Sequence, residues 1–181
     1  MTCIVAMLDK HTNKVIVGGD SASVADSNIL IRNDSKVFKN SEFVIGCTTS
    51  FRMIQLLRFT FKPPEIGEKD IYEYMCTDFI DEVRECFKRG GYSQHYSGGD
   101  EKGGTFLVAY RNRIFRVEDD FQVGETIYGF DACGCGQDIA LGAMCALNGS
   151  KLTTSQKVMK ALEAAECFST GVARPFILHG T

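Results

Sequence analysis

Residues 1–20 read MTCIVAMLDKHTNKVIVGGD. Two apolar runs, TCIVAML (2–8) and KVIVGGD (14–20), flank the polar DKHTN (9–13), a pattern that predicts a β-hairpin with a polar loop. In a hairpin the first residues of one strand lie beside the last residues of the other. Thr2 and Asp20 are therefore expected to be neighbours, and Gly18 and Gly19 permit a close backbone approach there. Chain starts are usually loose and polar, yet Thr2 stands at the head of an apolar strand.

Working outward, NILIR (28–32), SKVFKN (35–40) and EFVIGCT (42–48) read as further short strands rich in Val, Ile and Phe. Ser50 is placed to cap a helix over 51–62, with Met53, Leu56, Leu57 and Thr60 on one side and Pro63-Pro64 ending it. A second helix over 70–89 carries Ile71, Met75, Phe79, Val83 and Phe87 at four-residue spacing and stops at Gly90-Gly91. The glycine-rich polar stretch over about 89–104 reads as a flexible loop. A hairpin turning at Arg111-Asn112, a strand running into CGCG, helices over 137–148 and 154–168, and a strand over 174–180 complete the chain. Strands grouped apart from helices predict an α+β protein: one domain over 1–181, a four-layer αββα sandwich.

Composition narrows the function classes. The chain is 44% hydrophobic and 24% charged, with a net charge of −3 and scattered basic residues. That gives a nucleic-acid-binding face no support. No apolar run approaches the roughly 20 residues of a membrane span, and no secretion signal is evident. Eight cysteines raise the question of disulfides. Cys3, Cys47, Cys76, Cys86, Cys145 and Cys167 fall within apolar strand or helix patterns, so free thiols in a reducing cytoplasm are expected. Cys133 and Cys135 form a lone C-x-C pair, far in sequence from His11, His95 and His179, so neither metal nor cofactor is expected.

Three residues suggest chemistry. A threonine hydroxyl needs an adjacent base to act as nucleophile. If Met1 is removed, Thr2 carries its own base, an α-amino group of pKa roughly 7.7–8.0, where general bases work best near neutral pH. Asp20 is expected beside it, and Lys36 follows sixteen residues after Asp20 at the head of an apolar strand. Turned inward, Lys36 needs a carboxylate partner, and its charge favours an alkoxide at Thr2.

Thr2, the Gly18-Gly19-Asp20 turn and Lys36 at this spacing resemble the proteasome-type N-terminal nucleophile hydrolases, especially the HslV-type threonine peptidases. Residues 1–50 carry the likeness best and residues 105–181 more weakly. The resemblance implies Thr2 as nucleophile, supported by Asp20 and Lys36. It places Cys135 where the family has an amine-binding serine, and Glu166 and Ser169 where it has an Asp-x-x-Ser segment. The oxyanion donor falls in GCTTSFR, where Cys47, Thr48, Thr49 and Ser50 remain alternatives. It further implies a protein or peptide substrate, a homo-oligomeric ring and an ATP-dependent unfoldase partner. Two other readings stand beside it: an inactive subunit of the same fold acting in assembly, and a small-substrate amidase or acyltransferase.

Overall fold

The computed structural model describes residues 1–26, 28–92, 94–95 and 101–181. The opening hairpin forms as expected: β1 (Ile4–Asp9) pairs antiparallel with β2 (Lys14–Gly19), Ile4 opposite Gly19 and Asp9 opposite Lys14. Apolar residues on β1 alternate faces. Ile4 and Ala6 join one buried cluster, while Cys3, Val5 and Met7 join another. Both faces of the strand are buried, so the hairpin lies inside the protein.

Two sheets pack face to face. β1 and β2 lie between β12 (Phe130–Cys133) and β13 (Ile177–Gly180), in the order β12-β1-β2-β13. The second sheet runs β11-β10-β9-β6-β5, from β5 (Val37–Asn40), β6 (Phe43–Cys47), β9 (Phe106–Tyr110), β10 (Arg113–Val117) and β11 (Val123–Glu125). Ile4, Ala6, Val15 and Val17 of one sheet meet Val37, Val44, Leu107 and Ala109 of the other. Two short hairpins, β3 (Ala22–Ala25) with β4 (Asn28–Ile31) and β7 (Gln94–His95) with β8 (Glu101–Lys102), lie outside these sheets.

Helices close both outer faces. α1 (Phe51–Phe59), α2 (Ile71–Tyr74) and α3 (Ile80–Arg89) bury Met53, Leu56, Leu57, Tyr74, Val83 and Phe87 against Phe38, Ile45, Phe106 and Phe115. α4 (Gln137–Leu147) and α5 (Thr154–Phe168) bury Ala140, Met144, Val158 and Leu162 against Val5, Met7 and Ala132. The expected αββα layering is the observed one.

Several local expectations are corrected. α1 ends at Phe59, before Pro63, because the Thr60 and Phe61 N–H groups both close onto the Leu56 carbonyl. Thr60 is thereby exposed, and Ile54 joins the buried side in its place. The helix over 70–89 contains a π-helical segment, Met75–Phe79, that shifts its buried stripe so that Tyr74, Ile80 and Cys86 also turn inward. Cys145 and Cys167 are exposed on α4 and α5 rather than packed among apolar neighbours. The loop expected over 89–104 falls partly outside the described residues. Among the described residues no helix is long and apolar enough to cross a membrane.

Candidate active site

The hairpin brings Thr2 and Asp20 together at its open end, and Lys36, one residue before β5, reaches them from the second sheet. Lys36 Nζ donates to Asp20 Oδ1 at 2.9 Å and to Thr2 Oγ at 3.0 Å. All three residues are buried, at 4% exposure for Thr2, 1% for Asp20 and 2% for Lys36. A buried carboxylate is tolerated only when well hydrogen-bonded. Asp20 Oδ1 also accepts from the Cys3 N–H at 3.0 Å, while Oδ2 accepts from Ala22 at 2.9 Å and Ala173 at 3.4 Å. Burial pulls the Lys36 pKa below the ordinary lysine value, and the adjacent Asp20 charge opposes that fall.

The Thr2 nitrogen is held separately. Its N–H donates to Cys135 Sγ at 3.2 Å, and the same sulfur lies 3.4 Å from the Thr2 carbonyl oxygen and 3.3 Å from Ser169 Oγ. Thr2 Oγ donates to the Met1 carbonyl oxygen. Thr2, Asp20, Lys36, Cys135 and Ser169 therefore form one connected group. Burial pushes the Cys3 thiol up to about 12 and raises Cys47 as well, so neither supplies a thiolate at neutral pH.

Gly134 packs directly against the Thr2 main chain. Its φ of +98° is in the left-handed region, and a Cβ there would clash with the Thr2 carbonyl oxygen. Gly134→Ala combines backbone strain with a clash against main chain and is expected to lower stability by about 3 kcal/mol or more. Urea unfolding of the variant against wild type measures this.

Glu166 lies outside that connected group: its carboxylate accepts from the Arg174 backbone N–H at 2.9 Å and from the Arg174 guanidinium at 2.6 Å. The longer side chain reaches along α5 to the segment beside Ala173 instead. Glu166→Ala removes a solvent-exposed ion pair and is expected to lower stability only slightly. Urea unfolding of the variant against wild type checks this.

An open cleft faces Thr2, lined by Lys36, Ala22–Val24, Cys47–Phe51 and Ile54. Of the four candidate oxyanion donors, three have engaged N–H groups: Cys47 donates to the Lys36 carbonyl, Thr48 to Thr105, and Ser50 to Thr48. Ser50 also caps α1 through its side chain. The Thr49 N–H has no hydrogen-bond partner among the described residues, and Thr49 sits at φ +59°. Two contributors escaped sequence reasoning. β3 was not anticipated because ASVA is short and weakly patterned, and Ala173 gives Asp20 a backbone bond that no side-chain signal marks.

No protein-family model and no curated protein matches the sequence. Solved structures do match in shape. Thiobacillus denitrificans BPH in complex with epoxomicin aligns with a TM-score of 0.81 at 19% identity, over 99% of this chain and 98% of that one. Eukaryotic HslV from Trypanosoma brucei aligns at 0.70 with 15% identity, over 99% and 98%. Anbu, an ancestral β-subunit from Yersinia bercovieri, aligns at 0.66 with 13% identity, over 99% and 81%. The chain has the proteasome-type N-terminal nucleophile hydrolase fold. Within that fold the head of β1, the end of β2 and the residue before β5 are the positions that Thr2, Asp20 and Lys36 occupy or adjoin.

Proposed function

We propose that the chain, as one domain, is a threonine endopeptidase whose nucleophile is Thr2 once Met1 is removed. The observation that carries this is the buried bridge in which Lys36 Nζ contacts both Thr2 Oγ and Asp20 Oδ1 beside an open cleft. Removal of Met1 turns the Thr2 nitrogen from an amide into an amine, a base of near-neutral pKa. The amine takes the Oγ proton through a water as Oγ attacks a peptide carbonyl. The Lys36 charge favours the alkoxide, and Asp20 holds Lys36 in place.

The Thr49 N–H, without a partner among the described residues and at the cleft wall, stabilises the oxyanion of the tetrahedral intermediate. The amine returns its proton to the leaving nitrogen, and water hydrolyses the acyl-threonine ester. Cys135 and Ser169 position the amine through the 3.2 Å contact from sulfur to nitrogen. We further propose a protein or peptide substrate, a homo-oligomeric ring enclosing the site, an ATP-dependent unfoldase feeding it, and a cytoplasmic location. No cofactor enters the chemistry.

A second reading is favoured by one contact: with Met1 attached, Thr2 Oγ is engaged by the Met1 carbonyl and no free amine exists. A chain that keeps Met1 is a non-catalytic subunit. Intact mass of the purified protein separates the two. Loss of one methionine together with binding of epoxomicin, the compound complexed with the Thiobacillus protein, supports the peptidase. Full retention of Met1 in protein from its native source overturns it.

A further inference from the structure

A second cavity lies at the opposite end of β1, where the β1–β2 turn meets the loop between α4 and α5. It is a partly open hollow of about 440 Å³, lined by Asp9, Lys10, His11, Ser150, Lys151, Thr154 and Lys157 among others. That is far more than a single bridging water needs.

The wall is rich in unused donors. Lys157 is only 9% exposed, and its ammonium makes one bond, to the Asn148 carbonyl at 3.0 Å. An ammonium has three N–H donors, so two of them stay open. No carboxylate pairs with Lys157 among the described residues, which is unusual for a buried charge. Ser150 Oγ is buried and has no hydrogen-bond partner, alone in this among the buried side-chain nitrogen and oxygen atoms described. Ser150 lines the cavity, so this unpaired hydroxyl lies just behind its wall.

The cavity also meets the first turn of α5. A capping box engages Thr153 and Gln156 there, and the remaining first-turn N–H groups carry the positive end of a 15-residue helix. Three lysines, Lys10, Lys151 and Lys157, face one carboxylate, Asp9. Asp9 is already occupied. The backbone N–H groups of His11 and Thr12 hold it below the ordinary carboxylate range, with a smaller contribution from the Thr154 hydroxyl.

We propose that this cavity binds a phosphate-type oxyanion, either inorganic phosphate or a phosphate monoester. A tetrahedral oxyanion offers several acceptor oxygens to the Lys157 N–H groups and the Ser150 hydroxyl, and its charge matches Lys10, Lys151 and the helix terminus. A carboxylate offers two oxygens in one plane and satisfies fewer of these donors.

Isothermal titration of sodium phosphate into the full chain, at constant ionic strength against sodium chloride, tests the site. One saturable site per chain is expected. Lys157→Met is expected to weaken binding about tenfold or more, as befits a charge-assisted bond. Ser150→Ala and the exposed double change Lys10→Ala with Lys151→Ala are expected to fold as wild type and to weaken binding too, which keeps the test decisive if Lys157→Met fails to fold. Sodium acetate should bind more weakly than phosphate. Titration of glycerol phosphate distinguishes the two sources: tighter binding than phosphate assigns a monoester, equal or weaker binding the free ion. No saturable heat with phosphate in the wild-type chain overturns the proposal, as does unchanged affinity in Ser150→Ala and the double lysine variant. Thr2→Ala should bind phosphate as wild type, so the result is independent of the peptidase reading.

Discussion

Thr2→Ala is expected to abolish hydrolysis of a short fluorogenic peptide, by about a thousandfold or more, the scale on which removal of a covalent nucleophile is felt. The variant keeps the Thr2 nitrogen at Cys135 Sγ and loses the hydroxyl that Lys36 contacts together with the methyl group beside it. Comparison with Thr2→Ser, which lacks the same methyl group, isolates the oxygen. Thr2→Ser restores a hydroxyl at the same atom and should recover much of the rate. Intact mass on each variant confirms that Met1 has been removed, so that a blocked amine is not mistaken for a missing nucleophile. Unchanged hydrolysis in Thr2→Ala would refute the assignment.

Asp20→Ala and Lys36→Met should both eliminate activity, yet they should differ in stability. Removing Asp20 leaves the Lys36 ammonium buried without a counter-charge and leaves the N–H groups of Cys3, Ala22 and Ala173 without their acceptor. Breaking a buried pair this way costs about 3–5 kcal/mol. Removing Lys36 leaves Asp20 with its three backbone donors, so the carboxylate remains solvated by the protein. Lys36→Met should therefore be the milder change by about 2 kcal/mol. Urea unfolding at pH 7 ranks them, and the reverse order would show that the backbone donors do not support Asp20.

The same pair has a pH signature. The Lys36 pKa is lower in the folded chain than in the unfolded one, chiefly through burial. Between the folded value and the ordinary lysine value the unfolded chain binds more protons, so this group makes stability rise with pH across that window. Below the folded value its contribution is constant. The rise should be present in wild type and absent from Lys36→Met.

The legible part of the site was the part built from strand pairing. Alternating apolar residues around a polar turn set the β1–β2 hairpin, and the hairpin alone makes Thr2 and Asp20 neighbours. Lys36 was legible as a charge at the head of an apolar strand, where an inward direction demands a carboxylate. What escaped depends on backbone atoms and on distance between segments. Ala173 and Thr49 act through N–H groups, which any residue carries, so side-chain identity does not mark them. Glu166 engages Arg174, eight residues away, and likeness to an acidic position gives no sign of such a partner. The π-helical segment was hidden because four-residue spacing fits a regular helix equally well.

The register of β1 against β2 also determines which changes in chain length the protein tolerates. Thr2 and Asp20 meet where the two strands are open to each other, whereas the turn over 10–13 lies at the far end beyond the Asp9–Lys14 pair. Residues inserted or deleted in that turn leave the count from Ile4 to its partner Gly19 unaltered in space. A single deletion inside β2 would instead exchange the inner and outer faces of everything after it, taking Asp20 away from Lys36. The Thr2 end of the hairpin is thus closed to insertion. The turn end, which forms one wall of the lysine-lined cavity, can change in length without disturbing the Thr2 end.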